Sequence, residues 1–184
     1  DGYADATPDY TVADGADAFR LDATQWADAD GDGYGDNPLG TQADICPTVA
    51  GTSSRDRFGC PDSDGDLSSD EDLTGTNGPV WSITDGADVW PSDSTQWSDT
   101  DADGYGDNPL GTTPDGCINS AGTSTEDRYG CTDTDGDNYS DPDATWTVLE
   151  GADAFLNDVL RWSDYDADGF ADQIDDACPL FAGS

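Results

Sequence analysis

The sequence predicts a repeat protein with little regular secondary structure: coil and turns, short β-strands and single helical turns, stapled by disulfides. Three observations carry that expectation. Acidic residues outnumber basic ones 42 to 5, for a formal net charge of -37, so little apolar surface is left to offset chain entropy in an ordinary core. Long segments recur almost unchanged along the 184 residues. Cysteines fall at matched places inside those recurrences.

High charge alone would read as disorder, but six Trp, seven Tyr and five Phe are many for a disordered tail, and they recur in register. Asp14-Gly-Ala-Asp-Ala-Phe19 returns as Asp85-Gly-Ala-Asp-Val-Trp90 and as Glu150-Gly-Ala-Asp-Ala-Phe155. Trp26, Trp97 and Trp162 each follow the last aromatic of that hexapeptide at one fixed distance, and the segment from Thr24 to Thr41 returns from Thr95 to Thr112. Self-similarity on this scale marks a repeat array. The chain accordingly divides into 1–13, the tail of a preceding repeat, then repeats at 14–84 and 85–149, and a truncated repeat at 150–184. The first repeat is the longer because of a Gly/Thr/Asn insertion from Leu73 to Pro79, which reads as a surface loop.

Each repeat carries the same parts in order. Alternation at Tyr10–Val12, Trp81–Ile83 and Trp146–Val148 predicts a brief strand. The hexapeptide follows, and then a stretch suited to one or two helical turns, best seen at Phe155, Leu156, Val159 and Leu160. An acidic loop, a Cys-to-Cys segment and a second acidic loop complete the unit. Asn37-Pro-Leu-Gly40 and Asn108-Pro-Leu-Gly111 have the residues of a type I turn.

The acids are almost all aspartate, with glutamate only at Glu71, Glu126 and Glu150, and they sit at alternate positions. The first loop type places Asp28, Asp30, Asp32 and Asp36 around Gly33; it returns as Asp99, Asp101, Asp103 and Asp107, and as Asp164, Asp166, Asp168 and Asp172. The second type follows the second cysteine: Asp62, Asp64, Asp66, Asp70 and Asp72, then Asp133, Asp135, Asp137, Asp141 and Asp143. Asp1 to Asp5 matches the back half of this type. Short carboxylates at positions 1, 3 and 5 converge when the backbone curls, glycine at position 6 permits the turn, and position 7 offers a carbonyl, here Tyr34, Tyr105, Tyr139 or Phe170. Leu67 tolerates that backbone poorly, so the Asp62 loop is expected to be the weakest.

Two carboxylates about 5 Å apart repel by roughly 0.8 kcal/mol even in water, so four converging acids strain a loop by about 5 kcal/mol. Repeating that arrangement five times makes sense with a cation. Hard oxygen ligands select calcium, which takes six to eight of them; magnesium wants fewer protein ligands and stricter octahedral geometry. The fold is therefore expected to be calcium-stabilised, with at least five ions.

These loops are not EF-hands. Position 12 is Leu39, Leu110, Leu73 or Ala144 where an EF-hand has its bidentate glutamate, and only the third loop carries an acid there, Asp175. Asp44, Asp115 and Asp176, each two residues before a cysteine, are candidates for the missing oxygens. The run from Asp164 to Cys178-Pro179 resembles the thrombospondin type 3 repeats and their microbial relatives in surface proteins. The resemblance covers the acidic loops and cysteines, about half the chain. It implies an irregular chain wrapped around a line of calcium ions, with disulfides. The Asn-Pro-Leu-Gly-Thr insertions and the Trp-containing segments depart from the family pattern.

With no His and no Cys-x-x-Cys, a zinc site is not expected. Repetition favours the local disulfides Cys46–Cys60 and Cys117–Cys131, and hence an oxidising, extracellular or cell-surface location. Arg57 and Arg128, in equivalent places, read as bridges to nearby aspartates, and the Trp residues as small apolar cores between loops, with a glycan platform as the alternative. Asn138-Tyr-Ser140 fits a glycosylation sequon, although it lies inside an acidic loop. The charge disfavours nucleic acid and anionic lipid, and no apolar run is long enough to span a membrane. No nucleophile–base pair suggests an enzyme. The expected role is structural, a calcium-dependent stalk, adhesin or filament segment that self-associates or continues in a longer array, because the repeats at both ends are out of phase with the termini; the alternative is a calcium-dependent glycan- or protein-binding module of a large secreted protein.

Overall fold

A computed structural model describes residues 2–182. Its contacts divide the chain into two units, Asp1–Ser98 and Asp99–Ser184. The first unit holds the Asp28 and Asp62 loops and the Cys46–Cys60 bridge; the second holds the Asp99, Asp133 and Asp164 loops and the Cys117–Cys131 bridge.

Among the described residues, regular structure amounts to three single-turn 3₁₀ helices, Val12–Asp14, Ile83–Asp85 and Val148–Glu150. Each begins at the last residue of a segment where a strand was expected, Val12, Ile83 or Val148, and the rest of those segments forms no more than isolated bridges. The alternation there belongs to a cap: the N–H and hydroxyl of Thr11, Ser82 and Thr147 all donate to the acid three residues on, at 2.6–3.2 Å. That pairing curls the chain, and Gly15, Gly86 and Gly151 end each turn in the left-handed region. Pairing of extended backbone is limited to isolated bridges such as Asp72 with Trp81 and Gly35 with Ala43.

The expected helical turns resolve into two successive β-turns. The Phe155 carbonyl accepts from the Asp158 N–H at 2.8 Å, and the Asp158 carbonyl from Arg161 at 2.7 Å; Phe19, Asp22 and Gln25 repeat the pattern. The Asn-Pro-Leu-Gly turns form as read, closed by Gly40 N–H to Asn37 O and Gly111 N–H to Asn108 O, both at 2.9 Å. A fully buried Gln25 pins the first of them. Its amide accepts from the Asn37 N–H and donates to the carbonyls of Asn37 and Thr41.

The interior is polar. The buried apolar residues are Ala16, Ala87, Ala152, Ala171, Cys46, Cys60 and Cys131, whereas Leu21, Leu39 and Leu110 are more than nine-tenths exposed. Buried beside those small residues are eight aspartates, two glutamines and five serines. The aromatics pack in pairs at the loops: Tyr3 on Trp26 at 4.9 Å, Tyr139 on Trp162 at 5.0 Å, and Tyr34 on Phe58 at 5.7 Å. Where the second loop type has Ser68 in place of an aromatic at position 7, the Arg55 guanidinium covers Trp97 instead, at 3.7 Å.

Both cysteine pairs form bridges, each with a sequence separation of 14. Each bridge brings a glycine N–H back to an acidic loop: Gly51 donates to Asp32 and Gly122 to Asp103, both at 3.0 Å. A Cβ at either glycine would lie 2.0 Å from the backbone of the second cysteine. Non-reducing peptide mapping should recover Cys46 with Cys60 and Cys117 with Cys131. Reducing either bridge should lower stability by about 3 kcal/mol, read from denaturant melts; free thiols at these four positions would contradict the fold.

Candidate metal centres

The Asp-x-Asp-x-Asp segment folds into one turn, five times over. The position-1 carboxylate accepts from the position-6 N–H at 2.9–3.1 Å, in the pairs Asp28–Gly33, Asp62–Leu67, Asp99–Gly104, Asp133–Asn138 and Asp164–Gly169. Position 5 accepts from the position-7 N–H at 2.7–3.0 Å, so Tyr34, Ser68, Tyr105, Tyr139 and Phe170 orient Asp32, Asp66, Asp103, Asp137 and Asp168. Position 9 accepts from the position-2 N–H at 3.1–3.4 Å. The result is the same in every loop. One oxygen from each of positions 1, 3 and 5 lies within 4.8 Å of the other two, in the groups Asp28/Asp30/Asp32, Asp62/Asp64/Asp66, Asp99/Asp101/Asp103, Asp133/Asp135/Asp137 and Asp164/Asp166/Asp168.

The Asp62 loop is no exception. Leu67 is held at φ 82°, close to Asn138 at 76° in the equivalent loop, and the carboxylates still converge. The left-handed backbone costs a leucine about 1–2 kcal/mol, which the N–H of Leu67 offsets in part through its bond to Asp62.

A further aspartate joins each group by a shared device. The N–H of Asp44 donates to the position-8 carbonyl of Gly35 at 2.9 Å, Asp115 to Gly106 at 2.9 Å, and Asp176 to Ala171 at 3.2 Å. Oδ1 of each then accepts from the cysteine N–H two residues on, at 2.6–2.7 Å. Oδ2 of each is buried with no hydrogen-bond partner, as is Oδ2 of Asp30, Asp64, Asp135 and Asp166. Seven buried carboxylate oxygens left unpaired would be costly in any fold; converging in threes and fours, they suit a hard cation. Burial raises Asp44 to about 6, with the charges of Asp32, Asp30 and Asp36 adding to it, and burial with Asp103, Asp101 and Asp107 raises Asp115 to about 6.

Two residues absent from the sequence reading share this geometry. Asp88 and Asp153, the aspartates of the second and third hexapeptides, donate their N–H groups to the position-8 carbonyls of Ser69 and Ser140, both at 2.9 Å. Burial and the Asp66, Asp64 and Asp70 charges raise Asp88 to about 7. Burial and Asp137, Asp135 and Asp141 raise Asp153 to about 6. The signal was available, since the hexapeptide aspartate never varies while its first acid does.

Other sequence candidates are engaged elsewhere. Asp72 caps its own turn, accepting from the N–H groups of Asn77, Thr74 and Thr76, and those bonds depress it to about 2. Asp143 pairs with Arg128 at 2.8 Å and accepts from Thr145 and Trp146, which holds it well below the usual carboxylate range. Asp175 accepts from the Ala171 N–H and pairs with Arg161 at 2.9 Å. Asp72 and Asp143 each meet four donors and Asp175 meets two, and none of the three belongs to the converging groups. Asp36, Asp70, Asp107, Asp141 and Asp172 brace the loop through position 2 and, in four loops, through a Ser or Thr hydroxyl.

The arginines divide. Arg128 makes the expected bridge to Asp143, but in the first repeat Asp72 is occupied, and Arg57 donates to the Ser69 hydroxyl and the Pro79 carbonyl instead. Both guanidiniums lie over a Trp ring, Trp81 at 5.2 Å and Trp146 at 5.4 Å. No helix among the described residues is long and apolar enough to cross a membrane. No protein-family model matches the chain, and no curated protein is significantly similar to it in sequence. What the geometry establishes is a disulfide-stapled repeat motif with, among the described residues, five Asp-rich clusters, each able to hold a metal ion.

Leu67→Gly should relieve the backbone strain in the Asp62 loop and raise stability in calcium by about 1 kcal/mol, read from thermal melts; a lower melting point would contradict the strain. The raised carboxylates give a second expectation. Their folded pKa values exceed the unfolded carboxylate value of about 3.9, so the folded chain binds more protons than the unfolded one between roughly pH 4 and 7. With calcium removed on a chelating resin, order should therefore be greatest near pH 4 and fall as pH rises through that window. Calcium added at pH 6 should release protons. Near-ultraviolet circular dichroism and potentiometric titration measure the two.

Proposed function

We propose that the chain is a calcium-binding structural segment of a secreted or cell-surface protein, a stalk, adhesin or filament module in which the ions take the place of an oily core. The observation that carries the reading is the fivefold recurrence of three carboxylate oxygens within 4.8 Å. Positions 1, 3 and 5 would hold each ion, with the position-7 carbonyls of Tyr34, Tyr105, Tyr139 and Phe170 and the closing carboxylates Asp44, Asp115 and Asp176 completing the oxygen set. Position 9 would act through water, as calcium loops permit.

The resemblance to thrombospondin type 3 repeats belongs to this reading. It is supported by irregular backbone, local disulfides and the Asp-x-Cys aspartates that reach the loops. An outside location follows from chemistry: disulfides persist there, and calcium is plentiful enough for exposed sites. Five ions would bring +10 against a net charge of -37, where repulsion is worst. The half-buried Trp26, Trp97 and Trp162 are each covered on one face by Tyr3, Arg55 and Tyr139, which favours packing over a sugar platform.

Metal binding in such a chain is folding free energy. At pH 7.5, excess EGTA should abolish the aromatic circular dichroism and open the chain to proteases, and calcium should restore both. Equilibrium dialysis should count at least five ions. A chain that stays ordered and protease-resistant in EGTA would sink the proposal.

A further inference from the structure

The Asp62 and Asp133 loops lack the Asp-x-Cys segment that closes the other three, so their closing carboxylate has to come from another part of the sequence. The Asp85–Trp90 and Glu150–Phe155 hexapeptides stand where that segment would be. Each repeats its hydrogen bonds. The aspartate N–H meets the position-8 carbonyl, and Oδ1 accepts from the N–H two residues on, Trp90 at 2.8 Å and Phe155 at 2.7 Å. Ala87 and Ala152, just before, are 1 % and 2 % exposed; their small side chains let the aspartate backbone approach the loop. The carboxylates themselves are sealed in, Asp88 at 2 % exposure and Asp153 at 1 %. Oδ2 of Asp88 is buried and bonds to nothing in the protein, while the acids that act on it are Asp66, Asp64 and Asp70 of the loop. A buried anion repelled by three others is tolerable where a cation lies among them.

We infer that Asp88 and Asp153 are metal ligands, each completing the acidic loop of the preceding sequence repeat from the hexapeptide that opens the next. The inference rests on the calcium reading above. It gives the Gly-Ala-Asp segment a function that its sequence alone does not announce. The second loop type is completed across a repeat junction, so filling it fixes the start of the following repeat: the ion ties Asp88, and with it the 3₁₀ turn Ile83–Asp85, to the Asp62 loop. The first loop type is closed from within its own repeat by Asp44 or Asp115. One kind of site staples a repeat to itself, and the other staples it to its neighbour.

Asp88→Asn and Asp153→Asn in the full chain separate this role from a structural one. Asparagine keeps the Oδ1 acceptor for the residue two positions on, and so keeps the turn, but it removes the charge. A ligand loss should weaken that loop by at least the 10–100-fold typical of lost outer-shell partners. The calcium concentration at half-folding should rise about 10-fold or more, and dialysis at moderate calcium should find one ion fewer. Asp85→Asn, three residues away and exposed, should leave the ion count unchanged. If Asp88 only shapes the turn, removing a buried charge should instead lower the calcium requirement, and that result would overturn the inference. A variant unfolded at ordinary calcium but restored at tenfold or higher concentration supports it; one that no calcium restores counts against it. If the unmodified chain takes up no calcium, the functional proposal falls together with this one. If it binds five ions and both variants still bind five with unchanged midpoints, this inference alone fails.

Discussion

At each acidic loop three carboxylates are drawn within 4.8 Å of one another, and the loop's own N–H groups are already aimed at them. Position 6 serves position 1, position 7 serves position 5, and position 2 serves position 9. These bonds fix where the carboxylates point without neutralising them. Each N–H contributes a partial charge, whereas each added aspartate contributes a full one. Repulsion therefore outruns hydrogen bonding as the group grows, and the closing aspartates Asp44, Asp88, Asp115 and Asp176 each arrive with a buried oxygen that has no hydrogen-bond partner. The rest of the architecture depends on that unresolved charge.

In a typical domain, burying apolar side chains would hold such a strained arrangement closed. Here the buried apolar set is alanine and cystine, too small in area to supply much at roughly 25 cal/mol per Å². Leucines that could have formed a core are on turn tips in solvent, Leu39 and Leu110 among them. The buried serines show what replaces packing. Ser53 accepts from the Cys60 N–H and donates to the Arg57 carbonyl, and Ser124 does the same for Cys131 and Arg128. The Cys-to-Cys segment is thus organised around a hydroxyl, and it delivers Gly51 or Gly122 to the neighbouring loop. Disulfide, serine and aspartate form one connected scaffold, whose strength depends on what sits among the carboxylates.

The parts of this scaffold legible in the sequence are those governed by local spacing. Alternating aspartates give the loops, matched cysteines give the bridges, and Asn-Pro-Leu-Gly gives the turn. What the sequence hid depends on competition for donors. Asp72, Asp143 and Asp175 continue the acidic spacing as well as any ligand, yet nearby N–H groups or an arginine reach them first. The Thr-x-x-Asp spacing around Val12 serves a cap, although its alternation imitates a strand. Leu67 looked unfavourable on intrinsic backbone preference alone, but the hydrogen bonds of the loop impose the conformation that a leucine would not choose. Buried Gln25 escaped notice because nothing marks it apart from its recurrence as Gln96.

The closing aspartates show which variable the fold controls. Asp176 follows its loop almost immediately, Asp44 and Asp115 come after a turn, and Asp88 and Asp153 come only after a whole intervening segment. Their flanking sequences differ too, Asp-x-Cys in one class and Gly-Ala-Asp-x-aromatic in the other. Common to all five is an end point: an aspartate N–H on the position-8 carbonyl, and Oδ1 on the N–H two residues later. Loop-closure entropy grows only slowly with length, so chain between the loop and its closing residue can be lengthened at small cost while that end point is kept. The Leu73–Pro79 insertion falls in such a stretch, between the Asp62 loop and Asp88. The repeats can therefore differ in length and still build the same group of carboxylates, because two backbone hydrogen bonds, and not the distance along the chain, decide where the last charge is placed.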